Sequence, residues 1–269
     1  MGAFSSTNPV GSWQAERGLG FKSPETRFLN GTWFLYNGAM KIVILISAHA
    51  EWRVVKELFP DLTIEHTPFG ETTELTLNAK RLTLMHGGWG KISAAASAQY
   101  AIDQFHPDLL INLGTCGGFA GRVETGTVIL VERTLVYDII EQMGDADEAI
   151  RHYAVDSDLS WLRVDDKWLL DHGVTRKLLV SADRDIVVED IPMLIQKYDA
   201  VAADWESGAI AWVAKQNGTR LLILRAVSDL VGADGGEAYE NIGLFHERTK
   251  TVMRNLFDQL PAWLEHIQH

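Results

Sequence analysis

The hydrophobic positions of this chain follow two alternating patterns from Met40 onward. Short aliphatic runs, typical of buried strands, alternate with longer segments in which apolar residues recur every three or four positions, as in helices. The runs predict strands at residues 42–47, 109–113, 127–136, 177–180 and 221–227. The helical spacing predicts helices at residues 50–59, 91–106, 207–216 and 244–267. This alternation predicts a single α/β domain whose mixed, twisted central sheet is surrounded by helices.

Other stretches give weaker patterns. Residues 62–67 and 73–84 are extended and broken at Phe69-Gly70 and Asn78-Ala79, which predicts a hairpin or a meander on the sheet. We interpret the polar residues 141–158 as a loop near a site, and the glycine-rich residues 230–243 as a mobile loop. The last helix carries an apolar face that Pro261 could interrupt. That face consists of Val252, Leu256, Leu260 and Leu264.

Residues 200–229 predict a strand, a helix and a second strand. Asn217-Gly218 ends the predicted helix, and an acid follows each apolar run, Glu206 after the first and Asp229 after the second. In a βαβ unit the strands are parallel and their carboxyl ends share one edge, so both acids are expected at one ligand crevice. Helix-capping or turn roles are the alternative for each acid.

Residues 1–39 differ from the rest of the chain. They are rich in Gly, Ser, Asn and aromatic residues and lack clear periodicity, so we treat 1–39 as an extension and 40–269 as the domain. The extension is a vector-derived remnant, an overextended start, or a strap packed on the surface or on a partner. The strap would use Trp13, Phe28, Trp33 and Phe34.

Composition narrows the classes of function. The net charge of −12, with no basic block to offset it, argues against nucleic-acid binding and leaves a small molecule as the expected partner. Cys116 is the only cysteine, which excludes an internal disulfide and fits a reducing compartment. No apolar run has membrane-spanning length, no secretory signal is evident, and the nine histidines lack paired spacing. We expect a soluble cytoplasmic protein without metal or cofactor.

Two segments carry a family resemblance. Residues 204–209 (Asp-Trp-Glu-Ser-Gly-Ala) and 225–229 (Arg-Ala-Val-Ser-Asp) resemble the signatures of the purine nucleoside phosphorylase and 5′-methylthioadenosine/S-adenosylhomocysteine nucleosidase superfamily. Those signatures usually read acid-Met-Glu and Arg-x-x-Ser-Asp. Residues 47–51, 112–118 and 181–186 resemble further family segments. The resemblance covers nearly all of the domain and implies a nucleoside phosphorylase-like fold and a homodimer.

The acids suit the cleavage of an N-glycosidic bond. An acid with a raised pKa, here Asp229, would protonate N7 so that a purine leaves neutral, and Glu206 would bind the ribose 2′ and 3′ hydroxyls and offset the developing positive charge. By resemblance, Glu51 takes a proton from the attacking water. Arg225 orients that water or holds Glu51 ionised. The Thr115 hydroxyl approaches the ribosyl centre.

The chain also departs from the family pattern. Asp185, beside Ile186, replaces an aromatic residue that usually lies against the purine, and Trp205 replaces Met, so both are expected at the substrate. Trp52, Trp89 or Phe245 could supply the missing stacking surface, although a core or surface role is the ordinary expectation for each.

The expected reaction is hydrolysis. Phosphorylases of the superfamily carry Arg to hold phosphate where this chain has Asn112 and Leu113. We therefore expect a purine nucleosidase acting on a 5′-modified adenosine such as 5′-methylthioadenosine or S-adenosylhomocysteine. The alternatives are phosphorolysis and a non-catalytic nucleoside-binding module. The three acids together argue against the module, because binding alone needs no acid to activate water.

Overall fold

In this computed structural model the chain divides into two compact units, residues 1–38 and 39–269. The structure describes residues 39–268 and, in the first unit, two antiparallel strands, β1 (Thr26–Leu29) and β2 (Thr32–Leu35). Of the aromatic residues invoked for a strap, Trp13 lies outside the described residues, and Phe28, Trp33 and Phe34 are described only as strand backbone.

The second unit is an α/β domain, as predicted. Its strands are β3 (Ile42–Ile46), β4 (Glu65–Thr67), β5 (Gly70–Leu77), β6 (Lys80–His86), β7 (Leu109–Phe119), β8 (Val128–Val136), β9 (Val155–Asp156), β10 (Val174–Ser181), β11 (Ala202–Asp204), β12 (Leu221–Gly232) and β13 (Gly235–Gly236). Its helices are α1 (His49–Leu58), α2 (Lys91–Phe105), α3 (Ala146–His152), α4 (Asp166–Asp171), α5 (Ile191–Tyr198), α6 (Ser207–Asn217) and α7 (Ile242–Glu265), with a 3-10 turn at Val188–Asp190. None of the helices within residues 39–268 is long and apolar enough to cross a membrane.

The strands of the second unit form one mixed sheet that closes on itself in part. The order along the sheet is β13-β12-β8-β10-β11-β7-β3-β6-β5-β4, and β9 pairs with β8. Because β12 also pairs with β7, the strands β12, β8, β10, β11 and β7 complete a ring. Parallel and antiparallel pairs are mixed: β12 is parallel to β7 and antiparallel to β8.

The predicted βαβ unit of residues 200–229 is wrong in its strand directions. Helix α6 does join β11 to β12, and Gly218 ends it in the left-handed conformation. The two strands, however, lie on opposite sides of β7, with β11 antiparallel and β12 parallel to it. Glu206 and Asp229 therefore do not share the carboxyl edge of a parallel pair.

Two strands are longer than predicted. Strand β7 continues past Leu113 to Phe119, and β12 continues past Val227 to Gly232, so Thr115 and Asp229 lie within strands. The two strands pair along most of their length, with a register shift between Val227 and Asp229. The glycines that suggest a strand end at residue 114 instead permit close contact: a Cβ on Gly114 would lie 2.2 Å from Nη1 of Arg225.

Of the two predicted arrangements the structure has the meander, since β4, β5 and β6 pair in chain order as antiparallel strands and positive φ angles at Asn78 and Ala79 make the turn between β5 and β6. Residues 141–158 are not only loop, because they contain α3 and β9, and residues 230–243 contain β13. The sequence patterns also missed α4 and α5, which are short, with six and eight residues.

Helix α7 covers one side of the sheet and is not broken at Pro261. Val252, Leu256, Leu260 and Leu264 are all buried, as the pattern predicts. They pack in one cluster with strands β3, β6 and β12, and this packing continues on both sides of the proline.

Leu256→Ala should lower the free energy of unfolding by about 2 to 5 kcal/mol, because Leu256 is 1% exposed and truncation leaves a cavity. Asp258→Ala, at an exposed position of the same helix, should change it by less than about 0.5 kcal/mol. Urea unfolding of both variants measures the difference. Equal effects would contradict the assigned core face.

Candidate active site

A cavity of about 780 Å³ lies where β7, β11 and β12 meet the first turns of α1 and α7. Most of the residues predicted for the site line it: Glu51, Thr115, Asp185, Ile186, Trp205, Glu206 and Asp229. Arg225 is not part of the lining and is fully buried behind it. The structure thus brings the candidate residues together from elements that are distant in sequence.

The guanidinium of Arg225 is held by three hydrogen bonds to two elements, α6 and β7. Its Nε donates to Oγ of Ser207 at 2.9 Å, at the start of α6. Its Nη1 donates to the backbone oxygen of Thr115 at 3.2 Å, and its Nη2 donates to Oδ1 of Asn112 at 2.8 Å, both in β7. These contacts fix the orientation of the side chain.

Three carboxyl groups surround this guanidinium. Nη2 lies 3.0 Å from Oδ2 of Asp204 and 3.6 Å from Oε2 of Glu206, while Nη1 lies 3.8 Å from Oε1 of Glu51. Burial acts to lower the pKa of Arg225, but the charges of Asp204, Glu206 and Glu51 outweigh burial and raise it. The cluster therefore contains one permanent cation and three acids.

Asp204 is a member of the cluster to which the sequence analysis assigned no role. Its carboxyl accepts hydrogen bonds from the backbone N–H of Ser207 and from the hydroxyls of Ser181 and Ser207. The available signal was its place as the first acid of the Asp-Trp-Glu segment. Sequence alone does not show that it turns inward to Arg225.

Glu51 lies in the first turn of α1 but is only 1% exposed, so it is not a surface acid that merely faces the helix dipole. Its Oε1 accepts hydrogen bonds from the backbone N–H and the hydroxyl of Thr115, at 2.6 and 2.9 Å. Its Oε2 accepts from the backbone N–H of Ala48 at 3.1 Å. Both oxygens are held in place at the cavity wall.

Glu206 precedes α6 but makes no side-chain cap hydrogen bond, so the capping interpretation is wrong for this residue. Its Oε1 accepts a hydrogen bond from the backbone N–H of Gly90 at 3.1 Å. Burial raises the pKa of Glu206 to about 8, against the opposing charge of Arg225. Its side chain is held at the cavity and resists ionisation.

Asp229 lies within β12 and is 7% exposed. Burial raises the pKa of its carboxyl, while a hydrogen bond from the Ser228 hydroxyl to Oδ1, at 2.6 Å, opposes the rise. Asp229 is not a helix cap, and burial shifts its pKa in the direction that a proton donor requires.

The aromatic candidates separate into two groups. Trp89 and Phe245 line the cavity, and the ring of Trp89 lies 5.1 Å from that of Trp205. Trp52 does not line it: the ring is buried, stacks on His86 and donates to Glu71.

Two further lining residues have perturbed acidity. Burial, together with the charge of Asp185, raises the pKa of Tyr239 to about 12, and the Tyr239 hydroxyl donates to the backbone oxygen of Ile186 at 2.8 Å. Cys116 is 4% exposed, and burial raises the pKa of its thiol. Sequence reasoning missed Tyr239, which lies in a stretch interpreted as mobile loop.

The chain is similar in sequence to known proteins. The model of the family described as Phosphorylase superfamily matches residues 41–261. A 5′-methylthioadenosine/S-adenosylhomocysteine nucleosidase of Staphylococcus saprophyticus is 28% identical over 230 residues, which cover 81% of this chain and 98% of that protein.

Solved structures share the fold. A 5′-methylthioadenosine/S-adenosylhomocysteine nucleosidase of Helicobacter pylori superimposes with a TM-score of 0.70 at 16% identity, covering 86% of this chain and 100% of that chain. An S-adenosylhomocysteine nucleosidase of Streptococcus pyogenes, in complex with 5-methylthiotubericidin, gives 0.69 at 21% identity, covering 86% and 99%. The predicted fold is confirmed.

The raised pKa of Glu206 predicts a pH-dependent effect on stability. The ordinary pKa of 4.5 applies to the unfolded chain and about 8 to the folded protein, so ionising the folded-state carboxyl costs free energy. This cost is small below the unfolded pKa, grows as the pH rises toward the folded pKa, and is complete above it. Glu206→Gln removes the cost.

Relative to the unmodified chain, Glu206→Gln should therefore increase the free energy of unfolding. This increase should be about 2 to 4 kcal/mol larger at about pH 9 than at about pH 5. Urea unfolding at the two pH values measures the change. Glu57→Gln is the control, because Glu57 is fully exposed and its pKa is lowered by Lys250. A gain for Glu206→Gln that does not grow with pH would contradict the buried-acid assignment.

Proposed function

Because the chain belongs to the phosphorylase superfamily, we propose that it is an N-glycosidase that hydrolyses purine nucleosides and releases the free base. The preferred substrate is a 5′-modified adenosine such as 5′-methylthioadenosine or S-adenosylhomocysteine. The names of the relatives support this substrate class, as does the 5-methylthiotubericidin complex of the Streptococcus pyogenes protein.

One observation carries the proposal: Glu51, Glu206 and Asp229 line a single cavity, each in a different environment. Glu51 accepts hydrogen bonds on both oxygens, Glu206 lies beside a buried guanidinium, and Asp229 is held apart on β12. Cleavage of an N-glycosidic bond needs three such functions, at the base, at the sugar and at water.

Asp229 acts at the leaving base. A purine leaves poorly as an anion, so a proton delivered to N7 lets it depart as a neutral molecule. Burial raises the pKa of Asp229, which favours its protonated form, and the Ser228 hydroxyl orients the carboxyl. Asp185 and Ile186 line the cavity near the same group and contact the base.

Glu206 and Trp205 act at the ribosyl group. As the bond stretches, C1′ gains positive charge and the ring becomes oxocarbenium-like. That charge favours the ionised form of Glu206, whose oxygens bind the 2′ and 3′ hydroxyls. Trp205 packs its ring against the sugar.

Glu51 takes the proton of the attacking water. Its hydrogen bonds to Thr115 and Ala48 keep the carboxyl at the cavity wall, where a bound water reaches it. Arg225 lies 3.8 Å from Glu51 and stabilises the carboxylate in its working orientation.

Water is favoured over phosphate as the nucleophile. The buried cation beside the cavity, Arg225, already lies close to Asp204, Glu206 and Glu51. A phosphate dianion placed against that cluster would meet three acids for one cation, which opposes its binding.

We further propose a homodimer in the cytoplasm, with residues 40–269 as the working domain and residues 1–39 as an extension. The homodimer follows the family resemblance, the domain division follows the composition and missing periodicity of residues 1–39, and the compartment follows the single cysteine of the sequence.

The first test separates hydrolysis from phosphorolysis and from binding alone. Incubated with a panel of purine nucleosides, the protein should release base at the same rate, within about twofold, with and without phosphate, and the sugar product should be free. A rate that rises steeply with phosphate and gives a sugar 1-phosphate would support phosphorolysis. Nucleoside binding without release of any base would identify a binding module.

A second test addresses the proton donor. Asp229→Asn keeps the shape of the side chain but cannot donate an acidic proton, so kcat should fall by roughly 10² to 10⁴ on purine nucleosides. The loss should shrink on a nitrophenyl riboside, whose leaving group needs no protonation. Both rates are followed by absorbance.

Glu206→Gln is the matched variant for this test. It should slow both substrates, because each passes through a cationic ribosyl centre. Nearly full activity of folded Asp229→Asn on purine nucleosides would show that Asp229 is not the general acid.

A further inference from the structure

Three separate segments meet around the side chain of Lys91, and two of them carry residues that line the cavity, Trp89 and Asp185. The three segments are the turn before α2, which contains Gly90 and Lys91; Asp138, just after β8; and Asp183, just after β10. The Lys91 ammonium forms an ion pair with Oδ1 of Asp138 and lies 3.7 Å from Oδ2 of Asp183. We call Lys91, Asp138 and Asp183 the Lys91 clamp.

Backbone hydrogen bonds complete the clamp. The N–H of Lys91 donates to Oδ1 of Asp183 at 2.6 Å, and the N–H of Asp183 donates to Oδ2 of Asp138 at 2.9 Å. Gly90 has φ of 86°, which L side chains rarely adopt, and a Cβ there would lie 3.2 Å from Oδ1 of Asp183. The turn is therefore held in one conformation against Asp183.

The clamp contacts the site through the residues next to it. The N–H of Gly90 donates to Oε1 of Glu206 at 3.1 Å, and within residues 39–268 this is the one hydrogen bond that the side-chain carboxyl of Glu206 accepts. Trp89 packs on Trp205 with ring centroids 5.1 Å apart. The position of the turn thus sets the position of the carboxyl group.

An ordinary surface ion pair would not have this consequence. Exposed pairs contribute little, because solvent and side-chain entropy offset the attraction. The side chains of Lys91 and Asp138 are only 20% and 17% exposed. In addition, the Asp183 carboxylate accepts the backbone N–H of Lys91, and the Asp138 carboxylate accepts the backbone N–H of Asp183. The clamp joins two cavity-lining loops.

We propose that Lys91, through Asp138 and Asp183, is a positioning residue that holds the Gly90 N–H against Glu206 and so orients this carboxyl toward the ribose hydroxyls. The inference rests on the proposed function for the role of Glu206. It adds a residue that does not touch substrate but controls one that does.

The clamp also bears on the ionisation of Glu206. The Gly90 N–H favours the carboxylate, as does Arg225. Burial and the neighbouring acids Asp204 and Glu51 oppose it. If the turn moves away, Glu206 loses one of the groups that favour the carboxylate, and its ionisation moves to higher pH.

The test compares Lys91→Met with Lys250→Met. Lys250 forms an ion pair with Glu57 at 2.7 Å and does not line the cavity, so its variant controls for loss of a lysine and an ion pair. Lys91→Met should lower kcat/KM on a purine nucleoside by about 10- to 100-fold and move the acidic limb of its pH profile upward. Lys250→Met should do neither.

A double variant tests the route of the effect. In a Glu206→Gln background, Lys91→Met should cost no more than about threefold, because the two changes act through one carboxyl. Additive losses, or a Lys91→Met enzyme with normal kcat/KM and pH profile, would overturn the proposal. Asp138→Asn is the second clamp variant, to be used if Lys91→Met does not fold.

A measurement without substrate keeps this inference separate from the proposed function. Hydrogen exchange at the amides of residues 87–91 should be at least about tenfold faster in Lys91→Met than in Lys250→Met, with α7 unchanged in both. If the unmodified chain releases no base from any nucleoside, the proposed function fails. The hydrogen-exchange rates of residues 87–91 then remain as the test of the clamp. Unchanged exchange would overturn the clamp even in an active enzyme.

Discussion

A fully buried guanidinium determines how the cavity of this protein is built. Removing a charge from water costs several kcal/mol unless partners replace the lost hydration, and each partner must have the right geometry. Arg225 meets this requirement with groups from β7, β11 and α6, including Asn112, Ser207 and Asp204. Its burial thus ties together three elements that carry or adjoin the candidate active-site residues.

The same cluster prepares the cavity for a cationic reaction centre. Three acids around one cation leave an excess of acidic groups, and the raised pKa of Glu206 reflects this excess together with burial. A ribosyl group that becomes positive supplies the missing charge, so stabilisation grows as the reaction advances. Asp229 stands apart on β12, and its pKa is set mainly by its own burial.

The sequence predicted the domain class, and most of the residues it indicated for the site line the cavity, because periodicity and short signature segments are local properties of the chain. It did not predict the pairing of β7 with β12, since glycines at 114 and 117 look like a strand end. Nor did it assign Asp204 or Tyr239, whose significance arises only when distant elements pack. The predicted direction of β11 was wrong for the same reason. The order and direction of strands in a sheet depend on tertiary contacts, and local residue patterns do not determine them.

The position of Cys116 has a consequence for chemical labelling. Its thiol is 4% exposed and has a raised pKa, and it is the only cysteine among the 269 residues. A thiol-selective reagent therefore has one possible target, and the burial and raised pKa of that thiol slow its reaction. Because Cys116 lines the cavity, a ligand that fills the cavity should slow the reaction further. The chain thus carries a built-in covalent reporter of cavity occupancy, one that requires no engineered probe.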